Sequence, residues 1–201
     1  MKKILLSTNN PGKTQELVNL MEGTTWRFTT PAEEGIRLNV EETGITFEQN
    51  AVLKAKAFAK ASNLIALADD SGLEVDALNG EPGVYSARYG GTDLTDTQRN
   101  QHLLDMLSGI QWEARQARFR CVIAIAFPDD EMVMCKGECP GIITFEPKGE
   151  NGFGYDPVFY LPEFDKTMAE LDMDKKNEIS HRGKAASQAR FYLNTVLAEP
   201  D

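Results

Sequence analysis

The sequence predicts an α/β protein built on a long mixed β-sheet flanked by helices. Three observations predict it. Apolar strand-like runs alternate with helical patterns through the first half of the chain, as where "KKILLS" precedes "NNPGKTQELVNLM". A hairpin pattern comes later, with "ARFRCVIAIAF" and "EMVMCKGEC" separated by a turn at "PDD". The 201 residues suit a single domain with a sizeable core, and no Pro/Gly/Ser-rich linker, internal repeat or low-complexity tract divides them.

Each element has its own signal. "KKILLS" reads as a short buried strand. The helix after it has Asn10 as N-cap and Pro11 at its first position, with Leu17, Leu20 and Met21 on one face. "WRFTT" is a second strand. "NVEETGITFEQNAVLKAKAFAKASN" holds the clearest helix, with capping-box spacing at Thr46 and Gln49 and a stop at Asn63. "LIALADDSG" reads as an apolar strand that ends in two carboxylates and a turn. "TDTQRNQHLLDMLSG" gives a helix between an N-cap at Thr95 and Gly109. After the hairpin, "GENGFGYDPVFYLPE" is a glycine-rich loop leading into a strand. "SHRGKAASQARFYLNTVL" is a terminal helix with Ser180 as N-cap.

Composition narrows the function. Lysine plus arginine number 21 and aspartate plus glutamate 31, a formal net charge of −10. Such a surface repels nucleic-acid backbones and anionic lipids, so an anionic small substrate needs a local basic pocket or a bound cation. The start "MKKILLSTNN" has the lysines of a signal peptide, but its apolar run stops after Leu6, too soon for an h-region. No stretch approaches the roughly 20 apolar residues of a membrane span. Cys121, Cys135 and Cys139 are odd in number and lack a CxxC pair, which argues against a disulfide framework or zinc site and predicts buried thiols. These features point to the cytoplasm, with no nucleic-acid or membrane partner.

Several stretches could carry chemistry. "LLSTNNPGKTQEL" is nearly a phosphate-binding P-loop, but Ser7 stands where the first glycine belongs. A helix N-terminus offers unpaired N–H groups and partial positive charge, and Lys13 in its first turn sits at the wrong end of the dipole. An anion would remove the conflict; an ordinary capped helix with a solvated lysine is the alternative. The last helix repeats the pattern, with His181, Arg182 and Lys184 crowding its start. Asp69 and Asp70 end an apolar run, and Glu41 and Glu42 precede the long helix; carboxylates there suit a hard cation or a general base, and also suit turns. In the long helix Asn50 and Lys54 fall inside the apolar stripe Phe47, Ala51, Ala55, Phe58, so Lys54 is expected to reach a carboxylate or phosphate unless its stem snorkels. In "NGFGYDP", Gly152 and Gly154 flank Phe153, a ring placed for stacking.

"TNNPGK", "EETGITFEQNAVLKA", "ADDSGLEVDALNGEPGVYSARY", "NGFGYDP" and "ISHRG" follow one another in this order. The sequence thereby resembles the RdgB-like inosine/xanthosine triphosphate pyrophosphatases, from about Lys3 to the final helix. The resemblance implies Mg²⁺-dependent cleavage of ITP, dITP and XTP to the monophosphate and pyrophosphate, which cleanses the nucleotide pool. It implies one two-lobed domain over residues 1–201, with its sheet and helices around a central cleft, and a homodimer. It places triphosphate contacts on Thr8, Asn9, Asn10, Pro11, Gly12 and Lys13, although many members have glycine where this chain has Asn9. It places metal carboxylates on Glu41 and Asp70, with Asp70 also the proton acceptor and Asp69 its neighbour. Ser71, Phe153, Gly154, Tyr155, Asp156, Lys176, His181 and Arg182 become substrate contacts. Lys54 joins the catalytic group from its place in the helix stripe alone. A P-loop NTPase or kinase and a non-enzymatic nucleotide-binding regulator are the rival readings.

Overall fold

The computed structural model describes residues 3–8, 11–195 and 197. A seven-stranded mixed sheet forms the frame, made of β1 (Lys3–Leu6), β2 (Arg27–Thr29), β3 (Ile65–Val75), β4 (Gln116–Ala126), β5 (Met132–Ile143), β6 (Phe159–Leu161) and β7 (Lys166–Thr167) in the order β2-β1-β3-β4-β5-β6-β7. β1 pairs in parallel with both β2 and β3, whereas β6 is antiparallel to β5 and β7. The helices are α1 (Pro11–Leu20), α2 (Phe47–Ser62), α3 (Asp96–Met106), α4 (Met173–Ile179) and α5 (His181–Thr195).

Local chemistry sets the helix boundaries. Thr46 Oγ1 accepts from the Gln49 N–H at 3.2 Å, which starts α2. Gln49 does not close the box on Thr46; its Oε1 accepts instead from the Ile45 N–H at 2.8 Å. Asn63 ends α2 in the left-handed region, φ 55°, where an asparagine is tolerated. α3 has the complete reciprocal box between Thr95 and Gln98. Asn10, the expected cap of α1, lies outside the described residues. Ser180 has extended backbone between α4 and α5, as a residue entering a helix should.

Two expectations change. β3 does not stop at the carboxylates; it runs through Asp69, Asp70, Ser71 and Gly72 to Val75. Paired carboxylates can stay in a buried ladder because their charges are met by cations, which offsets the cost of leaving water. α4, which carries Lys176, has too short an apolar pattern to be read from sequence, but Asp172 caps it by accepting from the Lys175 N–H at 2.8 Å.

The chain divides into two compact units. Unit 1 is Met1–Asp70, Cys121–Gly137 and Arg182–Asp201; unit 2 is Ser71–Arg120 and Glu138–His181. Unit 1 packs Ile4, Leu6, Leu17, Met21, Leu67, Ile123, Ile125 and Leu193 in its core. Unit 2 packs Leu73, Val75, Leu103, Leu107, Phe119, Val158, Phe159 and Met168. All three cysteines are buried thiols, and burial pushes Cys121 up to about 12. No helix among the described residues is long and apolar enough to cross a membrane.

Candidate active site

Unit 1 gathers three cations and four carboxylates around β3. Successive side chains on a strand point to opposite faces, so Asp69 and Asp70 meet different partners. Asp69 faces α1 and α5: its Oδ2 lies 3.0 Å from Lys13 Nζ and 3.6 Å from Arg182 Nε. Arg182 is held in turn by Glu16, whose Oε2 accepts from Nη1 at 2.7 Å. Lys13 and Glu16 are three residues apart on α1, which puts both on one helix face.

Asp70 faces α2. Its Oδ1 lies 3.2 Å from Lys54 Nζ, and its Oδ2 accepts from Asn50 Nδ2 at 3.3 Å. Asn50 and Lys54 are the two polar residues inside the apolar stripe of α2, and both are accounted for. Lys54 also binds Glu42 Oε1 at 2.6 Å. Asn50 Oδ1 accepts from the Gly44 N–H at 2.8 Å, which docks the "EETG" loop on α2. Gly44 permits that approach, since a Cβ there would lie 2.6 Å from Asn50 Oδ1.

The electrostatics separate the two neighbours. Burial would raise the Asp69 pKa, but Lys13, Arg182 and Lys54 outweigh it and hold the group well below the usual carboxylate range. Asp70 moves the other way. Burial raises it, and the nearby Glu42 and Asp69 charges add to that against the opposing pull of Lys54 and Lys13. Burial lowers Lys54, but Asp70, Asp69 and Glu42 more than restore it, so it stays cationic. The two adjacent carboxylates are thus driven apart: Asp69 is held ionised by its cations, whereas burial and neighbouring carboxylates favour the protonated form of Asp70 more than is usual.

Unit 2 holds a second charged site around the glycine-rich loop. Lys176 of α4 and Asp156 are both buried, and Nζ lies 2.5 Å from Asp156 Oδ2. The same oxygen accepts from the Phe153 N–H at 2.9 Å, so one carboxylate fixes both the lysine and the loop. Lys176 Nζ sits 4.9 Å from the centre of the Phe153 ring, within cation–π range. Gly152 is required, because a Cβ there would collide with Asp156 Oδ2. The Tyr155 hydroxyl donates to the Ser86 carbonyl at 2.9 Å, and the buried His181 ring stacks on Phe119 with centroids 4.7 Å apart.

The expected residues thus fall into two groups. Lys13, Lys54, Asp69, Asp70 and Arg182 come together in unit 1; Phe153, Gly154, Tyr155, Asp156, Lys176 and His181 belong to unit 2. Arg182 is engaged by the carboxylates of Glu16 and Asp69. Thr8 and Ser71 are half-buried and Gly12 is exposed; Asn9 and Asn10 lie outside the described residues, and of Pro11 only the helical backbone is described. Glu41 is exposed, and the carboxylate that reaches Lys54 is its neighbour Glu42. Sequence reasoning missed Glu16 and Asn50 as parts of the cluster. Asn50 carried a signal in its place inside the apolar stripe; Glu16 had one in its spacing from Lys13.

Fold and site define an α/β protein with a buried lysine–carboxylate cluster on a central strand. The chain belongs to the Ham1 family, whose model matches residues 4–192. It is 53% identical over 194 residues to the dITP/XTP pyrophosphatase of Desulforamulus reducens, with 96% of each chain covered. It is 49% identical over 185 residues to the Bacillus subtilis dITP/XTP pyrophosphatase, covering 92% of this chain and 93% of that protein. A HAM1 protein from Coxiella burnetii superposes with a TM-score of 0.89 at 44% identity, covering 96% of this chain and 98% of the other.

Proposed function

We propose that this protein hydrolyses the deaminated purine nucleoside triphosphates ITP, dITP and XTP to the nucleoside monophosphate and pyrophosphate. The observation that carries the reading is the opposed shift of Asp69 and Asp70, each against its own lysine. The names of the relatives supply the substrate class.

In this reading Asp70 orients a water and takes its proton as the water oxygen attacks the α-phosphorus. The bond from that phosphorus to its bridging oxygen breaks, and pyrophosphate leaves. Lys13 and the first N–H groups of α1 take up the charge of the leaving group, and Thr8, Asn9, Asn10, Pro11 and Gly12 add the triphosphate contacts that the family resemblance implies. Asp69 stays ionised and holds Lys13 and Arg182 in place. Lys54 tethers Asp70 and Glu42. No covalent nucleophile is required, since placement and electrostatics suffice for phosphoryl chemistry.

Magnesium fits the donor set. It prefers oxygen ligands and commonly takes one or two carboxylates together with substrate phosphates, not an all-protein cage. Among the described residues no group of three or more His, Cys, Asp or Glu is gathered for a metal, so a cation shared with the nucleotide suits this chain better. Asp70 and Glu41 would hold it, with Glu42 alongside. When bound, it would neutralise phosphate oxygens.

For the base, Phe153 offers a stacking ring while Lys176 and His181 offer donors; Gly154, Tyr155, Asp156 and Ser71 complete this wall. Hypoxanthine and xanthine present an acceptor oxygen at C6 where adenine presents a donor. A dry site that leaves polar groups unpaired with the wrong base discriminates by roughly 10⁴-fold or more. The protein acts as a cytoplasmic homodimer in this proposal.

The test is a panel of ITP, XTP, dITP, GTP and ATP with Mg²⁺ and pyrophosphate detection. Pyrophosphate release from the first three, well above that from ATP, is expected. Orthophosphate plus diphosphate would return the chain to the P-loop reading, and tight ITP binding without turnover to that of a regulator.

A further inference from the structure

We propose that Asp96 and Asn100 of α3 are positioning residues that tune base affinity by clamping the Gly154 peptide. The inference rests on the base site proposed above and adds residues from an element with no part in it so far. The Gly154 N–H donates to Asp96 Oδ2 at 2.8 Å, and the Gly154 carbonyl accepts from Asn100 Nδ2 at 3.0 Å. Both polar groups of one peptide unit's residue are therefore held by side chains four positions apart on a single helix face. Gly154 has φ +61°, a left-handed geometry that a side chain would strain.

The clamp is itself fixed. Thr95 and Gln98 close the capping box at the start of α3. The buried Arg99 donates to the carbonyls of Tyr89, Gly91 and Leu94, at 3.1, 3.2 and 2.7 Å, which locks the chain entering the helix. Next to the clamped residue stands the Phe153 ring, 40% exposed and seated over Lys176. Its backbone is pinned on one side by Asp156 and on the other by the clamped Gly154. A base stacked on that ring meets the lysine at an offset the clamp sets.

The contacts do not read as generic stabilisation. Asp96 already suits the helix N-terminus without reaching a loop. Asn100 is 5% exposed and leaves its Oδ1 buried without a hydrogen-bond partner, so an apolar residue would sit there at lower cost. What Asn100 provides is the bond to Gly154.

Binding of IMP and of pyrophosphate, measured by calorimetry on the wild type, Asp96→Ala, Asn100→Leu and Asp96→Asn, tests the proposal apart from turnover. The first two variants should weaken IMP about tenfold, the loss of one charge-assisted or buried hydrogen bond. Pyrophosphate affinity should stay near wild type, and each variant should remain folded at the assay temperature. Asp96→Asn, which keeps an acceptor oxygen, should restore IMP binding. Unchanged IMP affinity in the Ala and Leu variants overturns the clamp. So does an equal loss for pyrophosphate, or failure of Asp96→Asn to rescue. A wild type that binds pyrophosphate but no IMP would instead remove the base site itself, and the clamp with it; a wild type that binds both yet releases no pyrophosphate from ITP would sink only the hydrolytic reading.

Discussion

The two faces of β3 treat adjacent carboxylates in opposite ways. On one face Asp69 is enclosed by Lys13 and Arg182, and its charge is fixed. On the other, Asp70 shares Lys54 with Glu42 and accepts from Lys54 at 3.2 Å and from Asn50 at 3.3 Å, and burial raises its pKa. Strand alternation makes this separation possible: one residue of advance along the chain turns the side chain to the other face and changes its direct ion-pair partner. The comparison teaches that an Asp-Asp pair need not be a shared-proton dyad. Here one carboxylate organises cations, and the other takes a proton only in the proposed reaction.

Breaking each side should give different losses. Asp70→Asn removes the proposed base and should lower kcat for ITP by roughly 10²–10⁴-fold. Its melting temperature should not fall, because Lys54 keeps Glu42 and a raised pKa marks an ionised form that the fold disfavours. Turnover near wild type would take Asp70 out of its role. Asp69→Asn should instead cost stability, roughly 3–5 kcal/mol by denaturant unfolding, since Lys13 and Arg182 lose a buried counter-charge. The sign with pH follows. The Asp69 pKa is depressed in the folded state, so its contribution is complete above the ordinary carboxylate range and is lost as pH falls below it. The variant's deficit should therefore shrink in acid; a deficit constant with pH would contradict the pairing. Lys13→Ala has the smallest expected effect, a rise in KM for ITP of about tenfold with the fold retained. An unchanged KM would separate Lys13 from the phosphates.

Much of this was legible in the sequence where the signal was local. The boundaries of α2 followed from Thr46 and Asn63, and Lys54 betrayed its carboxylate partners by its position inside the apolar stripe. The loop glycines around Phe153 marked a tight turn. What was not legible depends on tertiary pairing. β3 continues past Asp70 because cations from α1, α2 and α5 offset buried charge, and no local pattern announces that. Glu42, not Glu41, reaches Lys54, a choice set by how the loop docks through Gly44 and Asn50. Glu16 joins Arg182 across 166 positions of sequence, a partner that its spacing from Lys13 does not reveal.

In the proposed reaction a water activated at Asp70 attacks the α-phosphorus while pyrophosphate leaves towards Lys13. Single-turnover hydrolysis of ITP in ¹⁸O-water, followed by mass spectrometry of both products, tests it most directly. One labelled oxygen in the monophosphate and none in the pyrophosphate is the result predicted here. Label in the pyrophosphate, or release of orthophosphate in its place, would contradict it.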